Sequence, residues 1–74
     1  MEEQFVERFK ETLEIEGQEI NLDTRFRDLY EWDSLSFLSL LAMIDEEYDV
    51  IIEGNDFRQL ETIKDIIEEI KKRQ

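Results

Sequence analysis

Histidine, cysteine and proline are all absent from this chain of 74 residues, and glycine occurs only twice. Without cysteine there is no disulfide framework, no thiolate metal site and no cysteine nucleophile. Without histidine, the commonest general base and the commonest neutral metal ligand are both missing. Neither a Ser–His–Asp nor a Cys–His mechanism can be assembled from this chain alone, and no enzyme is expected. Basic residues are scarce as well. Nine Lys and Arg stand against 21 Asp and Glu, a formal charge of −12. Such a surface lacks the phosphate-neutralising patch that nucleic acid requires, and it repels anionic membranes. It suits partners with basic surfaces, which it attracts over long range at low salt. The acids also lack the alternating spacing around a central glycine that a calcium loop needs, so no metal site is expected. Long apolar runs are missing too. No stretch approaches the roughly 20 residues of a membrane span, and no charged-then-apolar leader is visible. The expected location is the cytoplasm.

What is present is enough apolar material to fold. Hydrophobic residues make up 41% of the chain and eight residues are aromatic, which argues against disorder despite the charge. The length suits one small domain, residues 1–74, with a modest core. Glu2 to about Glu16 reads as an amphipathic helix, because Phe5, Phe9 and Leu13 recur every four residues with Val6 beside them. Gly17 is placed to end it. Residues 17–33 form a long connection with apolar anchors at Ile20, Leu22, Phe26 and Leu29. Loops of that length in a small domain are often functional. Ser34 to about Tyr48 reads as the second helix with Asp33 as its N-cap, and a short element is expected around Asn55–Leu60. Thr62 and Asp65 have the spacing of a capping box for a last helix, with Ile63, Ile66, Ile67 and Ile70 on one face. Val50–Ile52 is the only strand-like run and is too short for a sheet. The expected fold is all-α: a small four-helix bundle of three main helices and one short one.

The second helix carries more apolar residues than one core face uses. At about 100° per residue, Phe37, Leu40, Leu41, Ile44 and Tyr48 share one stripe. Leu35, Leu38 and Ala42 fall roughly 100–160° away from it, flanked by Asp45 and Glu46. Either this helix is buried on several sides, or the second strip is a docking surface that offers apolar residues beside acids. Ser36, Ser39 and Met43 take the remaining angles and read as solvated surface.

Asp33-Ser34-Leu35 is by itself an ordinary helix start. Its frame changes that. The tripeptide follows a long anchored loop, opens an apolar helix in an acidic, histidine-free chain, and is followed by a Thr-capped isoleucine helix. This arrangement resembles the acyl carrier protein family over nearly the whole chain, most securely from Ile20 to Ile70. Phe26 to Leu35 is similar to the family's loop entering its Asp-Ser-Leu signature, and Asp45-Glu46-Glu47-Tyr48 to the acidic-aromatic end of its second helix. Ile52, Leu60, Thr62 and Ile63 match apolar and capping positions further on.

The resemblance implies that a magnesium-dependent phosphopantetheinyl transferase moves a phosphopantetheine arm from coenzyme A to the Ser34 hydroxyl. The arm's thiol then holds acyl groups as thioesters, for fatty-acid-like, polysaccharide, lipid or secondary-metabolite synthesis. Asp33 either aids recognition by the transferase or only caps the helix. Leu35, Leu38, Ala42, Asp45 and Glu46 would face acyl-transferring, ligating or condensing enzymes with basic docking patches, and the carrier would be a monomer. Phe37, Leu41, Ile44, Ile52, Leu60 and Ile67 would either shelter an acyl chain or simply pack the core. Four positions depart from the pattern of the fatty-acid-synthesis members: Ser36 and Ser39 replace acids, Arg58 stands where an acid is common, and Trp32 where a small residue is common. They point to a dedicated pathway. Two rival readings share the fold: a carrier of aminoacyl or peptidyl groups, and an unmodified helical interaction module whose Ser34 only opens a helix.

Overall fold

The computed structural model describes residues 1–74, all helical and connecting segments. Four helices follow in order: α1 (Glu2–Leu13), α2 (Ser34–Tyr48), α3 (Gly54–Phe57) and α4 (Ile63–Arg73). A single 3-10 turn, Phe26–Asp28, interrupts the long connection between α1 and α2. The all-α architecture expected from periodicity is the one formed. None of the helices is long and apolar enough to cross a membrane.

Helix α1 buries Phe5, Phe9 and Leu13, the four-residue series visible in the sequence, and keeps Glu2 and Glu3 at its positive end. It stops earlier than expected. Glu14, not Gly17, reverses the chain, in the left-handed region at φ 56°. The Ile15 N–H then reaches back 2.9 Å to the Lys10 carbonyl. This is the ordinary left-handed helix stop, with a hydrophobic residue just beyond it. Burial of Ile15 drives it: continuing the helix would carry that side chain away from the core it now joins. Gly17 also has positive φ, at 70°, but in the following loop.

The loop is pinned much as its apolar anchors suggested. Ile20 and Phe26 are buried, and Leu22 and Leu29 pack against the core. Its backbone also serves α4. The first N–H groups of a helix have no partner inside it. Here Ile63 and Lys64 donate to the carbonyls of Thr24 and Leu22, at 3.1 and 2.9 Å. Arg25 and Thr62 form an isolated antiparallel bridge at the same place. The loop therefore docks α4 through backbone bonds as well as side chains.

Helix α4 starts on the expected capping box. Asp65 Oδ2 accepts from the backbone N–H groups of Glu61 at 3.0 Å and Thr62 at 3.1 Å, and the Asp65 N–H donates to Thr62 Oγ1 at 3.2 Å. The Glu61 and Thr62 bonds hold the Asp65 carboxyl below its ordinary value of 3.8. A depressed folded pKa adds stability that is full above the unfolded pKa and is lost as pH falls through the folded one. Asp65→Asn is therefore expected to lower the melting temperature at about pH 7 and to matter less at about pH 3, below the ordinary carboxyl value. Melts of both proteins at the two pH values check this; an equal difference at both would show that the carboxylate charge is not what stabilises the cap. Thr62→Ala is expected to cost about 1 kcal/mol in the same measurement.

Sixteen residues are buried and all of them are apolar. They form one cluster that draws on every helix and on the connections. None of the sixteen is polar or charged, while two side-chain oxygens at the edge of the core, Glu31 Oε1 and the Tyr48 hydroxyl, are shut off from solvent without a hydrogen-bond partner. Helix α3 is shorter than expected. It begins at Gly54 and ends at Phe57, and Arg58 to Leu60 continue as a turn. Gly54 is thus the first residue of a helix. Val50 and Ile52 are buried in the extended segment before it, with Ile51 outward between them.

Candidate functional site

Helix α2 begins where the sequence placed it. Asp33 is extended, at φ −154° and ψ −174°, and its Oδ1 accepts the Ser36 N–H at 2.8 Å. The Ser36 hydroxyl lies 2.9 Å from the same oxygen and 2.8 Å from the Glu31 carbonyl, so it ties the loop to the cap. Ser36 was expected to be plain surface; it is instead a locking residue, legible only as a hydroxyl three positions after the N-cap. The Ser36 N–H, then its hydroxyl, pulls the Asp33 carboxyl below its usual value. Asp33 is thus an ionised cap, already engaged by the helix it starts.

Ser34 is the first residue of α2. Of the six serines and threonines, it alone is exposed. Four of the others are engaged: Thr12 donates to the Arg8 carbonyl, Thr24 and Thr62 accept backbone N–H bonds, and Ser36 is held as described. Ser39 is partly covered within the helix. The Ser34 hydroxyl makes no bond to the rest of the protein and opens into a surface groove of about 380 Å3 lined by Arg27, Trp32, Asp33, Phe37 and Arg58. Aromatic rings underlie it. Trp32 stacks on Phe57 at 6.2 Å between centroids and meets Phe26 edge-on at 4.9 Å, and Phe37 meets Phe57 at 5.4 Å. Trp32 therefore packs the loop onto the core.

Arg27 went unnoticed in the sequence. Its guanidinium lies over the rings of Phe26 and Phe57 and donates to the Phe57 carbonyl at 2.9 Å and to the Leu60 carbonyl. It clamps the loop onto the end of α3. The only sequence signal was its place next to Phe26; the partners lie about thirty positions away and no local pattern announces them.

The second strip of α2 faces water. Leu35 is 71% and Leu38 60% exposed, and Ala42, Asp45 and Glu46 are exposed below them. Burial of this helix on several sides is ruled out for that strip. Of the core stripe, Leu40 and Ile44 are buried and Phe37, Leu41 and Tyr48 partly so. Met43 corrects the surface reading, since it also packs against the core. Ile52, Leu60 and Ile67 are buried core residues. Arg58 is exposed on the groove rim, donating to Asn55 Oδ1 at 2.8 Å.

The site thus combines a free hydroxyl at the head of a capped helix with an exposed strip of apolar and acidic side chains. The sequence is similar to those of known proteins. Residues 3–70 match the family described as "Phosphopantetheine attachment site". The acyl carrier protein of Borrelia garinii subsp. bavariensis is 36% identical over 63 residues, covering 85% of this chain and 79% of that protein. The acyl carrier protein of Rickettsia canadensis is 31% identical over 74 residues, covering 100% of this chain and 86% of that protein. The match spans the anchored loop, the capped α2 and the isoleucine helix together, and on it this chain belongs to the acyl carrier protein family, whose members are phosphopantetheine-bearing carriers and not enzymes.

Proposed function

We propose that Ser34 is the residue that takes the arm, and that the protein presents acyl groups to the enzymes of a dedicated pathway. The observation that carries the first part is that Ser34 is the one exposed serine or threonine, with a hydroxyl free of internal bonds at the head of a rigid helix. The surroundings fit the arm: a groove with arginines on its rim beside that hydroxyl. A transferase would join the Ser34 oxygen to the phosphorus of coenzyme A as the pyrophosphate link breaks and the adenosine bisphosphate leaves. When bound, the arm supplies the thiol that this cysteine-free chain lacks. Asp33 holds the start of α2 in place for that attack and presents the carboxylate of the motif to the transferase.

Partner enzymes would dock on Leu35, Leu38, Ala42, Asp45 and Glu46. Apolar side chains next to exposed acids match a surface of apolar and basic groups, and charges at such a rim govern partner choice and on-rate more than affinity. Near Ser34 the usual acids are replaced by Ser36 and Ser39, and Arg58 adds positive charge. This supports service to polysaccharide, lipid or secondary-metabolite synthesis over general fatty-acid synthesis.

The test is the intact mass of the purified protein after incubation with coenzyme A, magnesium and a broad-specificity transferase. One phosphopantetheine per chain is expected, on the peptide containing Ser34. An unchanged mass, or an adduct on another peptide, would refute the assignment. If the loaded protein supported fatty-acid elongation at the rate of a housekeeping carrier, the dedicated-pathway reading would fail.

A further inference from the structure

The arginines of this acidic protein are not distributed evenly in what they touch. There are five. Arg8 pairs with Glu11 and Glu47, Arg25 with Asp28 and Glu61, and Arg73 with Asp56 and Glu69. With 21 carboxylates available, pairing is the expected state of an arginine here. Arg27 and Arg58 form no ion pair, and both line the groove into which Ser34 opens. Arg27 is committed to the carbonyls of Phe57 and Leu60. Arg58 is tethered only to Asn55, through one nitrogen. A guanidinium has five N–H donors, so most of its capacity faces the groove and solvent. The one acid lining the groove, Asp33, is turned into the α2 cap.

Resting on the assignment of the arm to Ser34, we infer that Arg58 seats the arm's phosphodiester in this groove, with the fixed charge of Arg27 beside it. The phosphodiester carries one negative charge directly on the Ser34 oxygen. Arginine suits phosphate oxygens because its planar donors can engage two of them at once. The next part of the arm is a dimethyl-substituted carbon, an apolar group, and Trp32 and Phe37 line the same groove. The ion pair would therefore fix the direction in which the arm leaves α2, over the aromatic side of the groove and toward α3. The docking strip of Leu38, Ala42 and Glu46 is left clear.

The test compares the loaded parent with loaded Arg58→Gln and Arg58→Lys proteins by phosphorus NMR, with the fluorescence of Trp32, the only tryptophan, as a second probe. In the parent, the phosphodiester resonance is expected to move with added salt, which screens an exposed ion pair. In Arg58→Gln it should sit closer to the parent's high-salt position and move much less, the remainder being due to Arg27, and Arg58→Lys should recover part of the salt response. Loading should change Trp32 emission in the parent and less so in Arg58→Gln. The rise in melting temperature on loading should be about 2–4 °C larger in the parent. Identical, salt-insensitive phosphorus resonances in parent and Arg58→Gln would overturn the inference, while normal loading of both would leave the Ser34 assignment standing. Failure of the parent to load would refute that assignment instead. The parent's own salt titration needs no variant, so a poorly folding Arg58→Gln does not shield the idea.

Discussion

Ser34→Ala is expected to take up no arm at all while keeping its fold. Both halves follow from the geometry. Every other serine or threonine hydroxyl is bonded internally or partly covered, so no second acceptor stands ready to replace Ser34. The fold is indifferent because Ser34 is not the cap. Asp33 carries the cap, Ser36 locks it, and the Ser34 oxygen contributes to neither bond. Exposed substitutions away from such features stay within about 0.5 kcal/mol. The variant should therefore melt within about 4 °C of the parent. Alanine is also a good residue for the first turn of a helix. Intact mass after the transferase reaction, beside a thermal melt, reads both quantities. An adduct on the variant would move the site elsewhere. A large loss of stability would mean that Ser34 serves the fold, as the unmodified-module reading requires.

The parts of this molecule that repeat locally were legible in its sequence. Helix α2 starts and stops at the residues its cap and periodicity indicated, and the Thr62–Asp65 box opens α4 as its spacing required. The exposed strip of Leu35, Leu38 and Ala42 emerged from helical angles alone, because a 3.6-residue repeat separates faces without knowledge of neighbours. What escaped is decided by distant contacts. Glu14 ends α1 in a conformation that glycine favours, since the placement of Ile15 outweighs the mild strain of a non-glycine residue there. Met43 looked solvated because its angle falls outside the main stripe, and a flexible side chain reaches the core anyway. Arg27 and Ser36 look like ordinary polar surface until the chain folds and brings carbonyls of Phe57, Leu60 and Glu31 to them. Around Ser34 the division is similar: the helix start at that residue was readable, and the groove beside it was not.

Phe57→Ala is expected to be far more damaging to the fold than any change at the site. Phe57 is fully buried and is the one buried residue of α3. A helix of four residues has no stability of its own, since nucleation outweighs so few hydrogen bonds. Its attachment rests on this ring, which packs against Phe26 at 5.5 Å, Phe37 at 5.4 Å and Trp32 at 6.2 Å, with the Arg27 guanidinium 5.9 Å from its centroid. Truncating such a side chain costs about 3–5 kcal/mol in lost transfer energy and cavity. A domain of this length has only about 4–11 kcal/mol in all. The melting temperature should fall by at least about 12 °C, and Trp32 emission should shift toward that of an exposed indole. A fall of less than about 4 °C would mean that the aromatic cluster does not hold α3. The consequence for function is selective. Phe37 of α2 loses a partner, but the hydrogen bonds of the α2 cap involve no residue of α3, so Ser34 should still accept an arm at temperatures where the variant is folded. Arg58 follows Phe57 directly and loses its place on the groove rim when α3 loosens. The variant therefore separates two requirements of a carrier, a reachable hydroxyl and a defined direction for what is attached to it.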